Sequence, residues 1–203
     1  MSFHIRAYQS ADFEAVYEIC LKTGDAGNDA TALYDDPNIL GHLYVGPYVT
    51  LSPELAFVLE DTSGVCGYVL GALDSLSFYE HMRTQWLPRI QSHVPDPTGD
   101  PATWTATERL YHQIHHPKET LPKPLHAYPS HLHIDLLPRA QRQGNGSKMM
   151  AVLLAELNAQ GSQAVHLGMD PDNERALRFY TKLGFARIEG LSNLNGLYLG
   201  KQL

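Results

Sequence analysis

The chain has 203 residues, of which 43% are hydrophobic and 18% are charged, and its formal net charge is −7. This length and composition predict a globular protein with a sizeable core. The acidic balance argues against a nucleic-acid partner, which requires a basic patch, and mildly favours a neutral or cationic one. No apolar stretch approaches the ~20 residues of a membrane-spanning helix. The N-terminus has no apolar signal-peptide segment.

The cysteines and histidines of the sequence show no metal-binding pattern. Cys20 and Cys66 lie in apolar runs, so we expect buried free thiols and a reducing, cytoplasmic compartment. The 11 histidines are scattered, and we expect no helical i, i+4 pair with a third metal ligand nearby. The densest cluster, "HQIHH" at 112–116, has Pro-rich surroundings that favour a solvated loop over a metal site.

The first half of the chain alternates between helix and strand signals. The pattern predicts a strand, a helix ending at Gly24, a short helix, a hairpin of two strands and a further helical stretch ending at Pro88. These elements are predicted at 3–8, 10–23, 37–45, 54–61 with 65–74, and 75–88.

Residues 93–130 differ from the rest, because 7 of the 13 prolines lie there. A helix is predicted only over 104–116. Connections of this length are uncommon in compact domains. We therefore interpret the segment as an insertion lying over the domain rather than as a second domain.

The last third of the chain has the clearest periodicity. A strand is predicted over 131–138, an amphipathic helix over 147–160, a strand over 163–169, a helix capped by Asn173, and two final strands. The apolar face of the first of these helices is predicted to hold Met150, Leu153, Leu154 and Leu157. This order predicts a mixed α/β sheet flanked by helices, with a parallel step near its centre, in a single domain over 1–203.

The segment "QRQGNG" (141–146) lies where a strand passes into a helix. It is either a flexible connection or an anion site. The first amides of the helix lack partners, and the positive end of the helix dipole lies there. Glycines at 144 and 146 would remove the Cβ atoms that block a phosphate from the backbone. Neither a nucleoside-triphosphate loop nor a dinucleotide G-x-G-x-x-G motif is present.

Together with "NERALRFYTKLGF" (173–185), this segment makes 131–185 resemble the coenzyme A site of GNAT superfamily N-acetyltransferases. Further segments, "YVGPYVTLSPELAFVLED", "GVCGYVLGALD" and "WLP", resemble the acetyltransferase-like C-terminal domain of eukaryotic O-GlcNAcases. The eukaryotic domain has a degraded pyrophosphate loop, whereas this chain has both glycines. The resemblance therefore implies a free-standing, cofactor-competent relative of bacterial type.

The resemblance implies acetyl-CoA as cofactor and direct transfer of an acetyl group to a primary amine in a ternary complex. Backbone groups of Leu136 and Leu137 would pair with the pantetheine arm and polarise the acetyl carbonyl. This pairing requires their strand to separate from 163–169. Asn173 would bind the pantetheine or cap its helix, and Tyr180 would protonate the leaving thiolate or serve only as core. The remaining cofactor-binding residues implied are Gln141, Arg142, Gln143, Gly144, Asn145, Gly146, Ser147 and Lys148.

The general base is left open among Asp135, His133 and a water relay. Strict alternation places both side chains on one face with His131, but a β-bulge in this strand would reverse the faces. Four acidic residues upstream would either attract a cationic amine or act as solvated turn formers. They are Asp25, Asp29, Asp35 and Asp36.

Two other functions are compatible with these residues. The chain would bind acetyl-CoA without turnover, as an interaction module, or it would use a different acyl-CoA. The acceptor, a small molecule or a protein lysine, and the oligomeric state are left open. We expect neither a nucleic acid nor a membrane as partner.

Overall fold

The computed structural model describes residues 2–117, 120–191 and 196–203, and they contain a seven-stranded sheet of order β1-β2-β3-β4-β5-β7-β6. Neighbouring strands are antiparallel, except for the parallel pair β4–β5. This confirms the predicted mixed α/β sheet with a central parallel step. The strands are β1 (His4–Ala7), β2 (Ala56–Asp61), β3 (Gly64–Ala72), β4 (Ser130–Leu136), β5 (Ala164–Met169), β6 (Ala186–Arg187) and β7 (Leu197–Gln202).

The helices lie on both faces of the sheet. They are α1 (Phe13–Thr23), α2 (Ile39–Tyr44), α3 (Gly46–Leu51), α4 (Ser75–His81), α5 (Leu87–Gln91), α6 (Ala106–His115), α7 (Asn145–Ala159) and α8 (Glu174–Lys182). The helix predicted over 37–45 is α2, and a second short helix, α3, which was not predicted, follows it directly. Val45 leaves helical geometry at φ −127°, and Pro47 stands in the first turn of α3, where a missing N–H costs nothing.

The helical stretch after β3 continues beyond its predicted end at Pro88. A π-helical segment, Met82–Trp86, joins α4 to α5. Pro88 lies in the first turn of α5, a position that proline tolerates, so it does not end the helix. The indole Nε1 of Trp86 donates to the carbonyl of His42 at 2.8 Å and fixes this segment to α2.

The insertion at 93–130 carries α6, which packs against α2 and α5. A capping box begins this helix. Thr105 Oγ1 accepts from the Glu108 N–H at 3.1 Å, and Glu108 Oε2 accepts from the Thr105 N–H at 2.7 Å. Ile114 is fully buried in the core shared with α1 and α2. The insertion therefore lies over the domain, as predicted.

Within the histidine-rich segment 112–116, residues 112–115 form the last turn of α6 and His116 is its C-cap, so the segment is not a solvated loop. His112 and His116 stand four residues apart, a spacing that places two side chains on one helix face. Asp96 lies beside both of them. The expectation that no such pair has a third ligand nearby is therefore wrong.

The sheet separates two apolar cores. Tyr68 and Leu70 of β3 face the core formed with α1 to α6, whereas Val69 faces the core beneath α7. Of the predicted face of α7, Leu154 is only half-buried, and the fully buried residues are Met149, Met150, Leu153 and Leu157. The two cysteines are buried free thiols, which confirms that prediction.

Strands β4 and β5 are joined only at their beginnings. The parallel pairing is confined to Ser130 with Val165 and His131 with His166. A hydrogen bond of 2.7 Å between the hydroxyls of Ser130 and Ser162 closes this end. Beyond His131 the two strands separate. The coenzyme A site implied by the sequence requires this separation of β4 from residues 163–169.

A bidentate ion pair holds the start of α1 against the sheet edge. Arg6 donates to both carboxylate oxygens of Asp12, at 2.6 and 2.8 Å, and its Nε donates to Glu60 at 2.8 Å. Asp12 Oδ2 also accepts from the Gln9 N–H at 2.8 Å. The Arg6 hydrogen bonds lower the pKa of the Asp12 carboxyl. Because α1 packs on β3 and β4, the Arg6–Asp12 ion pair helps to fix the position of α1 on these two strands.

We expect Asp12→Asn to lower the free energy of unfolding at neutral pH by about 2 kcal/mol, because it leaves the Arg6 guanidinium poorly paired. A carboxyl with a lowered folded pKa stabilises the fold above its unfolded pKa of about 3.9, and that contribution disappears as pH falls through the folded value. The difference between wild type and variant should therefore shrink in urea titrations below about pH 4.

The matched control is Glu18→Gln, which breaks an exposed ion pair with Lys22. We expect it to cost less than about 0.5 kcal/mol. An Asp12→Asn effect that is equally small, or that is the same at every pH, would contradict the proposed role of the Arg6 pair.

Candidate functional site

The loop between β4 and α7 presents backbone N–H groups. A turn of 3-10 helix at Pro138–Ala140 follows β4, and Gly144 caps α7 in the left-handed conformation, at φ 77°. Arg142 is also left-handed, at φ 61°, which is unusual for a residue with a Cβ. Among the described residues, nothing accepts hydrogen bonds from the amides of 142–144. The first-turn amides of α7 are unpaired by helix geometry.

The two glycines of this loop have different roles. A Cβ on Gly144 would meet no atom within 4 Å, so this residue faces open space. A Cβ on Gly146 would lie 3.2 Å from the ring of Phe179, so Gly146 permits α7 to approach α8. The open space at Gly144 is compatible with phosphate clearance, whereas the steric need for glycine at 146 comes from the ring of Phe179.

Two side chains of the loop form hydrogen bonds with the backbone of the preceding turn. Asn145 is buried and its Nδ2 donates to the carbonyl of Ala140 at 2.9 Å, while Gln143 Nε2 donates to Arg139 O at 2.9 Å. Ser147 lines the cleft that opens between β4 and β5, whereas Lys148 is exposed to solvent and lines no part of that cleft.

At the end of β4, the backbone groups of Leu137 are paired within the protein, and those of Leu136 face away from β3. The N–H of Leu137 donates to Cys66 O at 2.8 Å, and its carbonyl accepts from the Ala140 N–H at 2.9 Å. Alternate residues of a strand point their backbone groups to opposite sides, so those of Leu136 point toward the gap beside β5. Leu136 O accepts from Gln141 Nε2 at 2.7 Å. Within the described residues, both backbone groups of Leu137 and the carbonyl of Leu136 have partners, which leaves the N–H of Leu136 as the group that points into the gap.

A cleft of about 1550 Å³ opens where β4 and β5 separate. The N-terminal end of α8 borders it. Asn173 caps this helix, accepting from the Ala176 N–H at 3.0 Å, and its Nδ2 donates to Ala26 O at 2.9 Å. The predicted helix cap is therefore confirmed, and the same side chain also ties the loop after α1 to α8.

Tyr180 of α8 lines this cleft. Its side chain is buried, yet no described residue forms a hydrogen bond with its hydroxyl. Burial, and secondarily the negative charge of Asp135, raises the pKa of Tyr180 well above its ordinary value. The phenol therefore carries its proton throughout the neutral range.

His133 and Asp135 lie together on the opposite wall. Strand β4 keeps a regular register with β3 from His131 to Leu136, so no bulge reverses the faces. Tyr68 donates its hydroxyl to Asp135 Oδ2 at 2.6 Å. His133 Nε2 lies 3.1 Å from the same oxygen, without the angles of a hydrogen bond. Both predicted base candidates therefore share one site.

The third histidine of this face has a different environment. His131 is buried, its Nδ1 lies 2.7 Å from Ser75 Oγ, and its ring stacks on Tyr79. Burial lowers the pKa of His131 well below its ordinary value, so the ring is neutral. Cys20 approaches His133 and Asp135 from α1. Burial raises the pKa of its thiol, so Cys20 is not a thiolate.

Comparison with known proteins identifies this arrangement. The family described as "Acetyltransferase (GNAT) family" matches residues 111–185. The chain is 34% identical to the O-GlcNAcase of Rattus norvegicus over 99% of its own length, and it spans 22% of that protein. The solved structure of SsHAT is 40% identical, has a TM-score of 0.92, and is matched over 100% of this chain and 98% of that one. The chain belongs to the acetyltransferase (GNAT) family.

A more distant structure shares the fold. It is that of yncA, a putative acetyltransferase from Salmonella typhimurium with its cofactor acetyl-CoA, which is 17% identical over 100% of this chain and 95% of that one, with a TM-score of 0.55. In this GNAT acetyltransferase, none of the helices within the described residues is sufficiently long and apolar to span a membrane.

Three cationic side chains line a second cavity, of about 680 Å³, beside the loop between β4 and α7. They are Lys22, Arg142 and Arg175, and Asp29 is the acidic residue among the lining. Arg175 Nη1 donates to Gln141 Oε1 at 2.9 Å, so Gln141 joins the end of β4 to α8. Sequence reasoning found Arg142 but missed the other two, since only the fold brings the end of α1 beside α8. Lys182 lines the large cleft but not this second cavity.

The acidic residues of the loop after α1 do not line the large cleft. Asp29 accepts from the N–H and hydroxyl of Thr31, and Asp36 accepts from the Asn38 N–H at 2.9 Å and from Tyr111 at 3.1 Å. The turn-forming alternative therefore describes these two side chains. Asp25 and Asp35 also lie outside the cleft.

Aromatic side chains that sequence reasoning did not assign to the site line the cleft instead. Tyr44 and Tyr79 are 39% and 40% exposed and flank His133 and His131, respectively. Tyr48, Phe78 and Tyr198 also line it. The only sequence signal was the aromatic content of α2 to α4, which also fits an ordinary core.

The Tyr68–Asp135 hydrogen bond should be measurable as a coupling energy. We expect Tyr68→Phe and Asp135→Asn, alone and combined, to give a coupling of about 1–3 kcal/mol in urea unfolding, since hydrogen bonds to charged groups reach that range. Tyr68→Phe combined with Glu18→Gln provides the uncoupled control. Strict additivity of Tyr68→Phe and Asp135→Asn would mean that the 2.6 Å contact contributes nothing.

Proposed function

We propose that residues 1–203 form one acetyl-CoA-dependent N-acetyltransferase domain that acetylates a primary amine by direct attack in a ternary complex. The observation that carries this proposal is the convergence of three features on one cleft. They are the amide-bearing loop at Gly144, the outward backbone of Leu136 and the hydroxyl of Tyr180, which has no hydrogen-bond partner within the described residues. The buried free thiols also fit a cytoplasmic compartment.

The loop residues fit a pyrophosphate. The amides of Arg142 to Ser147 stand at the N-terminus of a 15-residue helix, and Gly144 offers no Cβ to the space in front of them. Lys22, Arg142 and Arg175 supply positive charge beside it. Family membership and the acetyl-CoA named with the yncA structure also support this cofactor.

Acetyl-CoA supplies an acyl thioester that an amine can attack directly. Leu136 would orient the acyl group through its backbone, and its N–H would stabilise negative charge on the carbonyl oxygen. Tyr180, protonated at neutral pH, would deliver a proton to the departing sulfur. The neutral thiol of Cys20 agrees with a mechanism that needs no covalent intermediate.

The amine must lose a proton when it attacks. Asp135 and His133, 3.1 Å apart on the cleft wall, are the candidate acceptors, directly or through a water. The aromatic lining around them, with Tyr44 and Tyr79, would suit the alkyl part or the cationic head of an amine. An amine carried by a small molecule and the lysine of a protein both satisfy this chemistry.

We expect Gly144→Asp to weaken acetyl-CoA binding by at least about tenfold in calorimetric titration, which is ~1.4 kcal/mol, because a carboxylate would occupy the space proposed for phosphate. Gly161→Asp is the matched control. Gly161 is also left-handed, with φ 90° and no atom within 4 Å of its missing Cβ, but it lies after the other end of α7. Equal affinities in the two variants would disprove the pyrophosphate assignment.

We expect Tyr180→Phe to lower kcat by about 10²- to 10⁴-fold, the range of general acid–base catalysis, while acetyl-CoA affinity stays unchanged. The control is Tyr128→Phe, which removes a hydroxyl outside the cleft lining. Release of coenzyme A during acetylation of a panel of primary amines measures turnover.

Unchanged turnover in Tyr180→Phe across pH would exclude its role as the acid. Tight acetyl-CoA binding by the wild type without turnover of any amine would instead support the module that binds acetyl-CoA but does not react.

A further inference from the structure

Three side chains meet at the end of α6, in the insertion and away from the loop at Gly144. His112 and His116 come from the helix and its C-cap, and Asp96 comes from the preceding loop. His116 Nε2 lies 2.9 Å from Asp96 Oδ2, and His112 Nδ1 lies 3.7 Å from Asp96 Oδ1. One ligand atom from each residue lies within 4.8 Å of the other two.

An unsatisfied atom distinguishes this cluster from an ordinary ion pair. His112 Nδ1 is buried and has no hydrogen-bond partner among the described residues, although a buried polar nitrogen is normally paired. The neighbouring His115, in contrast, is satisfied by Val94 O at 3.0 Å. The ring centroids of Trp104 and His112 lie 4.8 Å apart, so the Trp104 ring limits reorientation of the imidazole of His112. His112 Nδ1 therefore faces Asp96 without a proton-sharing contact.

These features together point to a metal ion. We propose that Asp96, His112 and His116 bind a divalent transition metal, with Zn²⁺ as the best fit. Two imidazoles and one carboxylate are a common ligand set for zinc, with bonds of about 2.0–2.2 Å. Such bonds place tetrahedral ligands about 3.4 Å apart. The two histidine nitrogens lie 2.9 and 3.7 Å from the two different carboxylate oxygens of Asp96, so small side-chain adjustments would bring one oxygen and both nitrogens to that spacing. The half-exposed side chains leave a path of entry and a fourth position for water.

A metal here would connect two parts of the insertion. It would fasten the loop around Asp96 to the C-terminal end of α6, the helix that packs on α2 and α5. His112 and His116 also line the large cleft, away from the loop at Gly144. The metal would therefore stiffen the rim of the cleft. The assignment does not depend on acetyl transfer, so either proposal can fail alone.

The experiment is a Zn²⁺ titration of the full, chelator-treated chain, followed by calorimetry, with Co²⁺ absorption as a report of tetrahedral geometry. We expect one ion per chain and a melting temperature that rises with zinc concentration. Asp96→Asn, His112→Ala and His116→Ala should each weaken zinc binding by at least about 100-fold, since even the loss of an outer-shell partner costs 10–100-fold. The matched control, His81→Ala, removes an exposed histidine elsewhere and should bind as the wild type does.

The results separate the alternatives. If the wild type shows no saturable binding, or if the three variants bind zinc as tightly as His81→Ala, the site does not exist. If Asp96→Asn retains full affinity while both histidine variants lose it, only a surface histidine pair binds, and the three-ligand site is wrong. Asp96→Asn changes no side-chain volume at an exposed position, so it tests the proposal even if a histidine variant fails to fold.

Discussion

The separation of β4 from β5 after His131 is the constraint on which the rest of the site depends. Two neighbouring parallel strands normally satisfy each other's backbone groups along their full length. Here the pairing ends after two residues, and the groups of β4 beyond it require other partners. The cleft, its lining and the outward backbone of Leu136 all follow from this early end of the ladder.

Two helices use the space that the separated strands leave. The N-terminal turn of α7 lies at the far end of β4, and α8 brings Tyr180 to the cleft. Asn173 and Gln141 tie α8 to the loop after α1 and to the end of β4, respectively. The chemical groups of the site thus come from distant segments that two amide side chains hold together.

Sequence reasoning succeeded where the determinants are local. The loop at 141–146, the Asn173 cap and the common face of His133 and Asp135 depend on neighbours within a few residues. It missed the contacts whose determinant is distant. The ring of Phe179 sets the need for Gly146, and Cys66 occupies the N–H of Leu137. The aromatic cleft lining was not foreseen, because an aromatic residue that faces a cleft has the same periodicity as one that faces a core.

The helix α7 has a further consequence for the dimensions of the cleft. It spans 15 residues, or about 22 Å at 1.5 Å per residue. Gly144 precedes its first turn, and Gly161 and Ser162 follow its last. Ser162 forms the hydrogen bond that joins the beginnings of β4 and β5. The helix α7 therefore connects the closed end of the gap between these strands to the loop amides at its open end. The length of α7 therefore sets the distance between these two ends, and removing a helical turn would bring them about 5.4 Å closer together.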